Sequence, residues 1–287
     1  MSAVLYDELG PRGRRRVRVA SAAAFVLLAF VVYVALRRLA DKGQLEGDRW
    51  ENLGNPVLLR FLAGGLWLNV RAALAAMALA LVLATVLALG RLSRVRPVRW
   101  ASGFVVETFR ALPQLLFIVG VFLVLPRYGI NLPVFLYLVV GLTLYQGAVL
   151  AEIFRAGILS LDRGQSEAAY AVGLSYRQAM GFVVVPQAVR RMLPSIVSQL
   201  VTLFKDTSLG YAISYLEMVR RGRIATTQFG ESLLQIVLLV ALTFILINLA
   251  LSRFARWLEQ RQARRYGGGT ATVTGVEDLT VIEPKTP

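Results

Sequence analysis

The chain contains no cysteine and no histidine. Their absence excludes disulfides, thiolate nucleophiles, Cys/His zinc sites, haem ligands and every catalytic device built on imidazole. It also leaves the redox compartment unmarked. Lysine is nearly absent, occurring at Lys42, Lys205 and Lys285. None of these follows a glycine-rich phosphate loop, so any nucleotide energy must come from another chain. Charge is scarce at 17% of 287 residues, where a soluble domain carries about a quarter. What the chain has instead is apolar sequence: 56% of its residues are hydrophobic, and they fall in long runs. The net charge of +15 sits in short clusters beside those runs, which reports membrane topology and not nucleic-acid binding.

An α-helix rising about 1.5 Å per residue needs roughly 20 apolar residues to cross the hydrocarbon layer. Six stretches fit, at about 19–36, 66–89, 102–125, 134–154, 194–215 and 232–251. The fifth is interrupted by Lys205 and Asp206. The expected fold class is an all-α polytopic membrane protein with six transmembrane helices. Arg12 to Arg18 precede the first stretch, and Arg37 and Arg38 follow it without a small-residue cleavage pattern, so it reads as a retained anchor. With the N-terminus inside, the cytoplasmic segments carry twenty basic residues and the outer ones nine, which places both ends in the cytoplasm. Arg220, Arg221 and Arg223, preceded by Glu217, land outside against this trend. They fit a receiving surface for an acidic partner or a solvated loop. The outer loop from Arg37 to Gly65, with Trp50 and Phe61, has the composition of a short interfacial amphipathic piece. After Tyr266, glycine, threonine, glutamate and proline dominate, and a disordered tail is expected.

The longest inner connection, about 155–192, is not a plain loop. Ser166 suits a helix N-cap, Glu167 suits the positive first turn, and the alanines that follow are strong helix formers. Gly173 provides a left-handed stop. Ser175-x-x-Gln178 is a capping box that opens a second helix, and Pro186 stands where that helix must bend or end. A short capped helix with a small-residue face fits closely into a groove on another protein.

Glu167-Ala168-Ala169, then Gly173, then Val183-x-Val185-Pro186 resembles the EAA loop of permease subunits of ATP-binding-cassette importers. The spacing is kept, with valine at the positions where that pattern has isoleucine and leucine. Further pieces resemble the polar amino-acid branch of these type I importers: Glu107-Thr-Phe-Arg110-Ala-Leu-Pro113, Ala151-Glu152-Ile-Phe-Arg155-Ala-Gly157-Ile, Gly164-Gln165, Gly173-Leu-Ser175, Val185-Pro-Gln-Ala188 and Lys205-Asp206-Thr207-Ser208-Leu209. Hydropathy, charge and composition give a basic cytoplasmic N-terminus at 1–18, a first helix and outer loop at 19–63 and a cytoplasmic, mostly disordered tail at 256–287, and the resemblance implies an importer transmembrane domain at 64–255. It implies that Glu167, Ala168, Ala169, Gly173 and Pro186 belong to a coupling helix that docks on a separate ATPase dimer. ATP and magnesium would be bound by that partner, with no cofactor in this chain. It further implies a second permease (a similar chain or another copy), a substrate-binding protein outside, residence in the bacterial plasma membrane, and no nucleic-acid partner. The structural alternative is a surface helix that merely orients the spans.

Glu107, Arg110, Lys205 and Asp206 are ionisable residues inside the apolar stretches, each costing about 2.5–3.5 kcal/mol at mid-membrane when unpaired. Glu107 and Arg110, three residues apart, share a helical face and are expected to neutralise each other. Lys205 and Asp206 point about 100° apart and each needs its own partner. Together with Thr207 and Ser208 these residues are candidates for the substrate path. The structural alternative is a self-neutralised pair near the cytoplasmic surface plus an interhelical tie. Their charges sum to zero and leave the substrate's charge open, and the Phe109-Arg110-Ala111 stretch leans towards glutamate. Pro113 and Pro126 are expected to bend or end the third span. Arg71 is expected to snorkel to the interface. The competing reading is a stand-alone secondary transporter or channel, which would need coupling acids or a repeated pore element. Only Glu107 and Asp206 qualify, and no repeat is visible. A membrane-embedded enzyme finds no histidine, cysteine or clustered acids to work with.

Overall fold

The structure is a computed structural model that describes residues 10–228 and 232–266. Among the described residues it is helical, without strands. The helices are α1 (Pro11–Asp41), α2 (Gly47–Glu51), α3 (Pro56–Arg91), α4 (Arg96–Ala111), α5 (Gln114–Val124), α6 (Val134–Leu159), α7 (Arg163–Ala171), α8 (Tyr176–Ala179), α9 (Val185–Asp206), α10 (Met218–Gln228) and α11 (Leu233–Tyr266). The tail expected to be disordered lies outside the described residues.

The chain divides into two compact units: Met1–Phe61 with Gly222–Leu239, and Leu62–Arg221 with Val240–Pro287. In the first, α1 buries none of its residues. The interfacial piece expected after it is present as α2 followed by a 3-10 turn at Asn52–Gly54. Two hydrogen bonds tie this unit together. Gln235 Nε2 donates to the Gln44 carbonyl at 2.6 Å, and Asn52 Nδ2 donates to Ser232 Oγ at 3.0 Å.

The second unit is built on close helix approach. Ala72, Ala76, Ala80, Ala84 and Ala88 recur every fourth residue of α3 and are all buried, forming one ridge without bulk. Helix α6 lies at the centre, packed by α4, α5 and α9. A Cβ on Gly141 of α6 would stand 2.8 Å from the Ile118 Cα of α5, and one on Gly147 would stand 2.6 Å from the Leu83 side chain. Glycine at both positions sets the helix separation.

Among the described residues, four helices are long and apolar enough to cross a membrane: α1, α3, α6 and the first 26 residues of α11. They become five if α4 and α5 are taken together. That pair is the expected third span, and it is broken by a 101° bend. Leu112 is extended at φ −88°, ψ 142° ahead of Pro113, the conformation a following proline imposes. The bend expected at Pro113 is therefore a sharp elbow. The fifth expected stretch is displaced. Helix α9 begins at Val185, passes through Pro194, ends at Asp206 and continues as a 3-10 turn over Thr207–Ile213. With Arg190, Arg191 and Lys205 along it, α9 falls below the hydropathy of a spanning helix.

Candidate functional site

The α7–α8 segment leaves the bundle after α6 and returns through α9. Helix α7 starts earlier than its sequence suggests, because Asp162 is the N-cap and accepts the Gly164 N–H at 2.8 Å. Ser166, expected in that role, sits one turn inside and donates to the Arg163 carbonyl at 2.8 Å. Aspartate two residues before glycine offers a stronger anionic acceptor at a helix start. The stop is where it was expected: Gly173 has φ +85°, and the Gly173 and Leu174 N–H groups donate to Tyr170 and Ala169 carbonyls at 2.9 and 3.1 Å. A Cβ there would meet nothing within 4 Å, so glycine is required by backbone conformation and not by space. The Ser175–Gln178 capping box is formed, with Ser175 N–H donating to Gln178 Oε1 at 2.9 Å. A π turn at Met180–Val184 leads into α9, where Pro186 occupies the first turn. The backbone stays helical through the π turn, with the Val185 N–H donating to the Met180 carbonyl, and the wider turn carries the chain past the proline.

Glu167 and Ala168 face outward, whereas Ala169 is buried. Val172 and Phe182 are 77% and 75% exposed, so apolar surface stands open on the same excursion. The segment is held from three sides. Arg191 Nη1 donates to the Ser160 carbonyl at 3.0 Å, and Gln187 Nε2 donates to Gln165 Oε1 at 3.1 Å. The Arg94 guanidinium lies 4.8 Å from the centroid of the Tyr176 ring.

The charged candidates inside the bundle separate into distinct environments. Asp206 accepts from Gln146 Nε2 at 3.2 Å, and Gln146 is 1% exposed. Lys205, the neighbour of Asp206, is exposed. Thr207 is fully buried and donates to the Phe204 carbonyl at 2.7 Å, and Ser208 Oγ donates to the Lys205 carbonyl at 2.8 Å. Glu107 meets Arg91 at 3.5 Å, in place of the Arg110 partner expected from helical spacing. Arg110 is exposed on the same helix. Arg71, expected at the interface, lies with its guanidinium 4.2 Å from the Phe135 ring centroid.

Three residues that sequence reasoning passed over carry much of the geometry. Arg91 reaches Glu152 of α6 at 2.9 Å. Asn69 of α3 is fully buried and donates through Nδ2 to Thr207 Oγ1 at 2.8 Å and to Glu217 Oε2 at 3.3 Å. Glu217, grouped by sequence with the basic surface cluster, is 0% exposed. Its carboxylate accepts the Val219 and Arg220 N–H groups at 2.9 and 2.7 Å, capping α10. Burial pushes its pKa up against the lowering effect of these donors. The signal for Asn69 and Gln146 was an amide inside an apolar helix, which a search for ionisable groups does not register.

This layout, apolar helices interrupted by one exposed capped excursion, matches known transport components. Residues 76–264 match the family of binding-protein-dependent transport system inner membrane components. The chain is 39% identical over 227 residues to the glutamate transport system permease protein GluD of Corynebacterium glutamicum, covering 78% of this chain and 83% of that one. It is 46% identical over 159 residues to the probable glutamine ABC transporter permease protein GlnP of Bacillus subtilis, covering 55% of this chain and 73% of that one. The crystal structure of an amino acid ABC transporter with histidines shares the fold, with a TM-score of 0.67 over 71% of this chain and 94% of that one at 24% identity. The chain belongs to the binding-protein-dependent transport system inner membrane component family. It is a membrane-embedded permease subunit of an ATP-binding-cassette importer, a transport component and not an enzyme.

Proposed function

We propose that this permease carries a polar amino acid of the glutamate or glutamine class inward, with α7 as the coupling helix for a separate ATPase dimer. The exposed face of Glu167 and Ala168, closed by the left-handed Gly173, is the observation that carries this reading. A helix with both ends capped and one face already packed presents its other face at a fixed angle. Helical backbone runs from α8 through the π turn, past Pro186, into α9, so displacement of α7 is passed to a helix of the bundle and not absorbed in a loop.

The reading takes α1, α3, the bent α4–α5 pair, α6, α9 and α11 as six crossings, with both ends of the chain in the cytoplasm. ATP and magnesium reside on the ATPase partner. ATP binding closes that partner, α7 moves, and the path opens outward to a substrate-binding protein. A second permease, a copy or a similar chain, completes the wall of the path, since one bundle is too small to enclose it. Asp206 and Ser208, on α9 and its 3-10 extension, with Lys205 beside them, supply the polar lining, and the buried Thr207 braces this stretch against Asn69. Glu107 and Arg110 stand at the elbow. The names of the relatives support the substrate class, as does the combination of acid, base and hydroxyl groups suited to a zwitterion.

Transport in proteoliposomes tests the whole reading. Uptake should require the ATPase subunit, the binding protein and ATP hydrolysis. Uptake by the permease alone, driven by a proton or sodium gradient, would overturn it.

A further inference from the structure

We propose that Arg91 and Arg94, at and just beyond the end of α3, link movement of the α7–α8 segment to the α4–α5 elbow. The inference rests on the reading of α7 as a coupling element. Arg94 stands in the turn between α3 and α4, and its guanidinium lies 4.8 Å from the ring centroid of Tyr176. Tyr176 is the first residue of α8 and follows the Ser175 cap directly. Its ring is therefore attached to a rigid helix start and moves with it.

Three residues earlier, Arg91 meets Glu152 of α6 at 2.9 Å and Glu107 of α4 at 3.5 Å. The two carboxylates differ in environment: the Glu152 side chain is 23% exposed and that of Glu107 is 72% exposed. Solvent screens the outer pair more strongly, so Arg91 is anchored on α6 and releasable from α4. Glu152 also accepts from Arg155 Nε at 3.1 Å. If α4 swings away with Glu107, Glu152 keeps two cationic neighbours and no acid is stranded. Gly90 brings the helices together here, because a Cβ at that position would collide with Ser102 Oγ of α4. Beyond Ala111 the chain breaks through 101° into α5. Contact is thus continuous from Tyr176 through the α3–α4 turn to α4 and its elbow.

A double-mutant cycle tests the link in the assembled transporter of permease, ATPase and binding protein. The readout is substrate imported per ATP hydrolysed. Arg94→Met and Tyr176→Leu should each lower this ratio about two- to fivefold, the scale of one partly exposed cation–π contact. The double variant should be no worse than either single one. Arg94→Lys and Tyr176→Phe, which keep a cation and a ring, should retain the ratio. Both side chains are exposed, so truncation leaves no buried group unpaired. Additive losses in the cycle, or an unchanged ratio in both single variants, would overturn the link. A wild-type assembly that imports without hydrolysis defeats the coupling reading, and this inference with it.

Discussion

Asn69 and Glu217, 148 residues apart in sequence, meet at 3.3 Å where both side chains are fully buried. Asn69 Oδ1 also accepts the Met218 N–H at 3.0 Å, and its Nδ2 donates to Thr207. One amide therefore holds the 3-10 extension of α9 and the start of α10 against α3. Such a network rigidifies a fold only when its members are satisfied together.

Asn69→Leu keeps the branching and the number of heavy atoms and removes donor and acceptor at once. The Met218 N–H and the Glu217 carboxylate are then left under-satisfied in the interior. Stability should fall by about 2–3 kcal/mol, the scale for unpaired buried polar groups. Thermal unfolding in detergent measures the loss, and a melting temperature equal to wild type contradicts the role.

Gly173 separates conformation from contact. Gly173→Ala fits the open space but forces a side chain into left-handed backbone, at a cost of about 1–2 kcal/mol, and should leave transport measurable. Gly173→Asp adds a charge to the proposed docking face and should abolish uptake while the protein remains inserted and the ATPase still hydrolyses ATP. Parallel assays of uptake and hydrolysis distinguish the two. Normal uptake by the aspartate variant would count against docking.

Asp206→Asn retains an acceptor for Gln146 and removes the charge. Folding should be unchanged, and uptake should drop about tenfold or more, as expected when a charge-assisted hydrogen bond to substrate is lost. Initial uptake rates at several substrate concentrations provide the check. An unaltered rate would reduce Asp206 to an interhelical tie with Gln146.

Because the chain lacks cysteine, topology can be read from single introduced thiols without background. Ser166→Cys should react with a membrane-impermeant maleimide only in inside-out vesicles, whereas Arg127→Cys should react in intact cells. Labelling of the Ser166→Cys variant from outside would invert the orientation and remove α7 from reach of any ATPase.

Apolar periodicity and capping chemistry made most of this fold legible. Gly173 and the Ser175–Gln178 box were readable because each is a local backbone device whose residues lie within four positions. The N-cap was misplaced on Ser166 because two acceptable caps stand four residues apart, and only the geometry shows Asp162 engaged. Helix α9 begins earlier than its apolar sequence suggests, since its first turns carry Arg190 and Arg191 and look like loop by hydropathy. Helical spacing points Glu107 to Arg110. Its observed partner, Arg91, comes from another helix, and no local pattern encodes that. Asn69 and Gln146 escaped notice for the same reason, because the meaning of a neutral amide depends on what tertiary contact places opposite it.

Helix α1 buries none of its residues, and Phe25, Leu27, Leu28 and Phe30 are each more than 60% exposed. Among the described residues that apolar surface stands open. The free energy of this arm is accordingly set by the medium around it, so the choice of detergent or lipid will govern how faithfully a purified sample represents the native subunit.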